Sequence, residues 1–181
     1  MIRLTPQPLT AAAFAPFGEV IDEQAASGFA INGGTSLRLN DLARLDPGVD
    51  GRVLFNLFVC RQSISLPHQP AVMECHPLGS QAFLPRHFAR FLVLVAPPAP
   101  QPELSQLCCF LSDGRQGVNY ARGVWHLPLS SLEPETFVVV DRGGSGNNCH
   151  EVSVAGQIEV LKHCAKRGSG FAQDHGDTPK Y

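Results

Sequence analysis

The run Glu74-Cys75-His76-Pro77-Leu78-Gly79-Ser80-Gln81 is answered some fifty residues later by Gly123-Val124-Trp125-His126. Glu74 and His76 are two positions apart, so on a β-strand both side chains leave the same face, while Cys75 points to the other. Pro77 to Ser80 are turn residues, and Gln81 follows far enough on for a second strand to return its amide oxygen toward the pair. One carboxylate, two imidazoles and one amide oxygen make an N/O donor set suited to a divalent ion. The seven histidines of the chain are otherwise scattered, which singles out this grouping.

The chain is 181 residues long, 44% hydrophobic and 17% charged, with a formal charge of −2, a balance that fits one globular domain rather than a disordered or fibrous chain. An acidic balance with pI near 6.4 argues against a general nucleic-acid binder, whose footprint is basic. The longest apolar run, residues 91–98, is too short to span a bilayer, and MIRLTPQPLT lacks the apolar stretch of a signal peptide. Cys60, Cys75, Cys108, Cys109, Cys149 and Cys164 are irregularly spaced and form no CxxC pair. Reduced cysteines and the absence of an export signal place the expected site of action in the cytoplasm.

The 15 prolines and 17 glycines leave little room for long helices. Thr10 is placed to cap a short helix over Ala11 to Phe14. The rest reads as short strands: 18–21, 29–31, 52–61, 72–76, 81–84, 91–96, 104–110, 117–120, 137–141 and 157–160. Such spacing fits an antiparallel sandwich or barrel. A single domain over residues 1–165 is expected, with a polar, glycine-bearing tail over 166–181. In small β-barrels, inward side chains of neighbouring strands converge, which would bring Glu74, His76, Gln81 and His126 together.

Other residues carry weaker signals. Arg38, Arg61 and Arg122 are the cations best suited to recognise a carboxylate. Cys149, His150, His163 and Cys164 offer donor atoms, but their spacing matches no structural zinc pattern. Asp141-Arg142-Gly143-Gly144-Ser145 lacks the GK[ST] ending of a phosphate loop and reads as a turn closing a strand.

Glu74-x-His76-x(4)-Gln81 resembles the His-x-His-x(3,4)-Glu hairpin signature of cupin metal barrels, with Glu and Gln replacing two ligands; Gly123-x-x-His126 resembles the later cupin histidine turn. Over a longer span the chain resembles the ureidoglycolate lyase family of allantoin catabolism. The resemblance is carried by Leu9-Thr10-x-x-x-Phe14-x-Pro16-Phe17-Gly18-Glu19-Val20-Ile21, by 74–85, by Gly117-Val118-Asn119-Tyr120-x-Arg122-x-Val124-Trp125-His126, and by 141–145. It departs at Cys75, where the family commonly has Arg, at Leu127, where some members have His, and in an extra residue between Ser145 and Cys149.

The resemblance implies a mainly β, cupin-like antiparallel barrel of jelly-roll type with a few short helices. It also implies a homodimer, nickel as cofactor (with zinc, manganese or iron as alternatives), and cleavage of (S)-ureidoglycolate into glyoxylate and urea. On this reading Glu74, His76, Gln81 and His126 hold the metal, and Glu74 and Tyr120 serve as base and proton donor. Asn119 with Arg61 or Arg122 would orient the substrate. Another metal-dependent cupin enzyme, an amidohydrolase acting on a ureido acid, and a non-catalytic small-molecule-binding barrel are the alternatives.

Overall fold

The computed structural model describes residues 1–162. The assignments to the tail at 166–181, and to His163, Cys164 and His175, lie outside these residues. In chain order the strands are β1 (Ile2–Leu4), β2 (Gln7–Pro8), β3 (Gly18–Ile21), β4 (Gly28–Ile31), β5 (Ser36–Leu39), β6 (Arg52–Cys60), β7 (Val72–Cys75) and β8 (Gln81–Pro85). They continue as β9 (Phe91–Ala96), β10 (Cys108–Leu111), β11 (Gly117–Tyr120), β12 (Trp125–His126), β13 (Ser130–Ser131), β14 (Glu135–Gly143), β15 (His150–Ser153) and β16 (Ile158–Val160). One short helix, α1 (Ala11–Phe14), forms where its Thr10 cap predicts, with Thr10 Oγ1 accepting from the Ala13 amide at 3.3 Å. The segment expected as a strand over 104–110 instead begins with a 3₁₀ turn, Leu104–Gln106, and becomes strand only at Cys108.

Two sheets carry the architecture. One orders its strands β15-β7-β12-β9-β10-β2, with β13 also on β9; the other orders β3-β11-β8-β14-β6. Among the described residues no ladder joins them, so the cupin-like fold is an open sandwich rather than a barrel closed by hydrogen bonds. Period-two alternation sorts the side chains of the first sheet. Phe91, Val93 and Val95 face the second sheet and pack with Phe83, Val118, Tyr120, Phe137 and Val139. Met73, Cys75, Leu92, Leu94 and Trp125 face away into a second apolar cluster with Ile158 and Val160. The parallel β1–β16 pair brings Ile158 and Val160 to that cluster, with Leu4 packed beside them.

The turn after β7 does not make a hairpin. It carries the chain from one sheet to the other, since β7 pairs with β12 and β15 while β8 pairs with β11 and β14. That crossing brings both sheets to one end of the sandwich. Among the described residues no helix is long and apolar enough to cross a membrane.

Candidate metal centre

Strand β7 lies between β15 and β12, and register sets Glu74 opposite Glu151 on one side and His126 on the other. Directly opposed side chains share a face, so Glu151, Glu74 and His126 form one row across the sheet. His76, two residues past Glu74, lies on the same side. The turn Gly123-Val124-Trp125 sets the register of β12: Gly123 takes a φ of 78° and its amide donates to the His76 carbonyl at 2.9 Å. Trp125 then points into the outer core and His126 into the sandwich. Gln81 comes from the facing sheet, paired with Tyr120.

The sequence predicted that Glu74, His76, Gln81 and His126 converge, and the structure places them together. His126 Nε2 is 3.4 Å from Glu74 Oε1, His76 Nε2 is 4.0 Å from the same oxygen, and His76 Nε2 is 2.9 Å from Gln81 Oε1. Both rings have a fixed tautomer. His76 Nδ1 lies 2.6 Å from the Asn148 carbonyl, and His126 Nδ1 lies 3.1 Å from the Val124 carbonyl. A carbonyl only accepts, so in each neutral ring Nδ1 carries the proton and Nε2 offers its lone pair. His126 Nε2 is buried with no hydrogen-bond partner.

With both rings neutral, four acceptor atoms face one another with no donor among them, in a place where burial makes repulsion costly. A cation answers that arrangement. Ligand atoms held about 2.0–2.2 Å from one ion stand about 2.8–4.4 Å apart, which spans the three distances seen here. Glu74, His76 and His126 form a group able to hold a divalent metal, and Glu74 also belongs to a second donor group with the exposed Cys149 and Glu151 at the rim.

Burial works against the Glu74 carboxylate, but positive charge on the adjoining His126 ring, and then on His76, outweighs it and holds Glu74 below the usual glutamate range; the carboxylate is held ionised by positive charge at this spot, whether a proton on the rings or a bound cation supplies it. Burial, and then the neighbouring His126, lower the His76 pKa despite the Asn148 carbonyl and the Glu74 charge, which favours the neutral, ligating ring. Tyr120 stacks on His126 at 4.1 Å between ring centroids. Its burial, and then the Glu74 charge, push the phenol pKa well up, so it stays protonated.

The three residues expected to orient substrate lie elsewhere. Asn119 alternates with Tyr120 and therefore faces out of the sandwich, where its Nδ2 donates to Glu19 Oε2 at 2.8 Å and the Arg44 carbonyl at 3.1 Å. Arg122 pairs with Asp46 at 2.6 Å. Both line a cleft of about 580 Å³ with Arg44 and Ser80, on the opposite face of β11 from Tyr120. Arg61 follows the last residue of β6, at the end paired with Glu135. Seven residues separate it from Leu54, the partner of Asp141 near the cluster, a distance of about 23 Å along a strand. The structure does not bring Arg61, Asn119 or Arg122 to the cluster.

Sequence reasoning missed the groups that hold the donors in place. Asn148 anchors His76 through its carbonyl and the Leu78 amide through Oδ1, at 2.8 Å. The Asp141 carboxylate lies beside the Gln81 amide, which acts to lower its pKa, and Asn56 donates to Asp141 Oδ1 at 3.0 Å. No local pattern marks these three, because each acts on a partner 60 or more positions away. Cys75 is buried in the outer core on the face opposite Glu74, as alternation requires.

A family model described as ureidoglycolate lyase matches residues 1–161. The chain belongs to the ureidoglycolate lyase family. A ureidoglycolate lyase of Azotobacter vinelandii is 44% identical over 162 residues, covering 88% of this chain and 97% of the relative. One from Burkholderia mallei is 50% identical over 153 residues, covering 83% and 89% of the two chains. One from Pseudomonas syringae pv. tomato is 46% identical over 153 residues, with the same coverage. For this ureidoglycolate lyase family member the matched span takes in both sheets and every donor of the cluster.

Proposed function

We propose that this protein is a ureidoglycolate lyase, cleaving (S)-ureidoglycolate to glyoxylate and urea at the Glu74–His76–Gln81–His126 cluster with nickel as its cofactor. The observation that carries the site is the buried, unpartnered Nε2 of His126 facing Glu74 Oε1; family membership carries the substrate. One carbon of ureidoglycolate bears a hydroxyl, a carboxylate and the ureido nitrogen. Cleavage breaks the C–N bond, turns the hydroxyl into the aldehyde carbonyl of glyoxylate, and moves one proton from that oxygen to the departing nitrogen. No water is consumed.

A divalent ion bound in the cluster supplies Lewis-acid polarisation of an α-hydroxy carboxylate and lowers the pKa of its hydroxyl. The chain's own residues do the rest. Glu74, ionised at neutral pH, is placed to take the hydroxyl proton or to serve as a ligand beside it. Tyr120, kept as a neutral phenol, serves as proton donor to the leaving nitrogen. His76 and His126 hold their lone pairs inward through the Asn148 and Val124 carbonyls, and Gln81 adds a neutral oxygen. Asn119 and Arg122, across β11, tie the Arg44–Asp46 segment down, which supports the end of the sheet that presents Gln81.

The protein works as a cytoplasmic homodimer. Its cysteines at 60, 75, 108, 109 and 149 are free, in keeping with a reducing compartment. The edge strand β6 leaves Phe55 71%, Val59 60% and Leu57 54% exposed, an apolar edge that a soluble protein needs to cover. The deciding experiment incubates purified, nickel-loaded protein with ureidoglycolate. Equal amounts of urea and glyoxylate are expected, and ammonia release in their place would make the protein an amidohydrolase.

A further inference from the structure

Gln81 has two ends of opposite chemistry: an oxygen able to ligate a cation and an amide nitrogen that cannot. Its Oε1 faces His76 Nε2 at 2.9 Å. The His76–Gln81 pair does not by itself enforce that choice. Turned over, the amide would donate N–H to the Nε2 lone pair, a sound hydrogen bond that fills the donor cluster with a proton and removes two ligands at once.

The constraint comes from the far side of the amide. Strand β14 pairs Val140 with Ala82 of β8, and one step further in the same register stand Asp141 and Gln81, whose side chains therefore leave the same face. Burial raises the Asp141 pKa and the Gln81 amide beside it works the other way, as an N–H turned toward the carboxylate would. Asn56, on β6, donates to Asp141 Oδ1 at 3.0 Å and holds that carboxylate against β8. An ionised carboxylate only accepts, so Gln81 must turn its Nε2 toward Asp141, and Oε1 is left facing the cluster.

We propose that Asp141 is a positioning residue for the metal centre: with Asn56 holding it, it locks the Gln81 amide with the oxygen toward His76. This rests on the metal reading of the Glu74–His76–Gln81–His126 group. It gives the Asp141-Arg142-Gly143 segment, which reads in sequence as a strand end and turn, a part in the chemistry through a residue it supports. Groups behind the first ligands commonly change metal affinity by about 10–100-fold when removed.

The test uses the full-length chain, stripped with a chelator and titrated with Ni²⁺ by calorimetry, with thermal midpoints of the metal-free proteins recorded alongside. Asp141→Ala is expected to weaken Ni²⁺ binding about 10–100-fold. Adding Gln81→Glu to that variant is expected to restore binding, since a carboxylate has no donor end to turn inward; a purely structural loss would not be repaired this way. A second variant, Asn56→Asp with Asp141→Asn, exchanges the pair: the amide now at position 141 donates to the carboxylate now at position 56 and keeps its oxygen toward Gln81. It is expected to bind Ni²⁺ like the natural chain. Unchanged binding in Asp141→Ala, a loss that Gln81→Glu leaves in place, or a loss of about tenfold or more in the exchanged pair overturns the proposal. His126→Ala separates the two readings. A natural chain that takes up no Ni²⁺ overturns the metal reading and this proposal together, whereas uptake lost in His126→Ala but kept in Asp141→Ala overturns this proposal alone.

Discussion

His76 and His126 divide their two ring nitrogens in the same way. In each, Nδ1 is held by a backbone carbonyl and Nε2 is turned inward, so ligand geometry is set by main chain rather than by flexible side chains. Replacing either histidine with alanine is expected to abolish stoichiometric metal uptake, read by elemental analysis, with the thermal midpoint of the metal-free protein shifting only a few degrees. Glu74→Gln keeps the shape of the side chain but removes the carboxylate proposed as base. It should lower kcat by about 10²–10⁴-fold, and Tyr120→Phe should lower kcat with little change in KM if the phenol delivers the proton. Much of this was legible in the chain, because a two-residue spacing puts Glu74 and His76 on one face and Gly123 marks the turn before His126. The roles of Asn119 and Arg122 were not. Alternation predicts that Asn119 and Tyr120 part company, but which of the two faces the cluster depends on how β11 packs against the other sheet, and that is a long-range fact.

Single elements carry their own requirements. Gly18 opens β3 with a φ of +142°, and a Cβ there would lie 1.9 Å from the Asn119 carbonyl oxygen of β11. Gly18→Ala is therefore expected to destabilise the fold by about 2 kcal/mol or more, measured by urea unfolding. Glu135 fastens the start of β14 to the turn after β8, accepting from the His87 amide at 3.1 Å and pairing with His87 Nδ1 at 3.0 Å. Burial raises its pKa, but the bonds from His87 and Thr136 outweigh it and leave the folded-state value below the ordinary glutamate range. A depressed folded pKa gives stability that is present above the unfolded value and lost as pH falls through the folded one. The thermal midpoint should hold steady from neutral pH to about pH 5 and drop below about pH 4, with a shallower drop in Glu135→Gln. The longer strands, such as Phe91–Ala96 and Gly117–Tyr120, showed in the sequence because apolar residues and turn signals bound them. The two-residue strands at 125–126 and 130–131 are too short to hold a period, and the apolar residues from Leu104 to Phe110 imitate a strand where the first turn is 3₁₀.

On the scale of the whole molecule, the outer face of the five-stranded sheet is apolar from Phe55 and Leu57 on β6 to a groove of about 300 Å³ lined by Ile21, Leu42, Leu84 and Val138. A protruding ring beside a groove on one face is the kind of surface a two-fold operator can satisfy on both copies. For the proposed homodimer, Phe55→Arg is expected to give a monomer in light scattering where the natural chain gives a dimer; a variant that still forms a dimer would place the interface elsewhere. The sheets themselves were foreseeable from short strands and frequent turns, but the choice between sandwich and barrel was not, because ladder closure depends on strand order and strand order joins residues far apart in the chain. The pairing of Glu74 with His126 has a consequence for the order of events during synthesis. Fifty-two positions separate these two ladder partners, so a growing chain that has not yet delivered β12 holds three of the four donors and lacks the most deeply buried one. The proposed metal site therefore meets its full donor set only once β12 has been laid against β7, so an ion bound there would come after that long-range pairing rather than act as a seed for it.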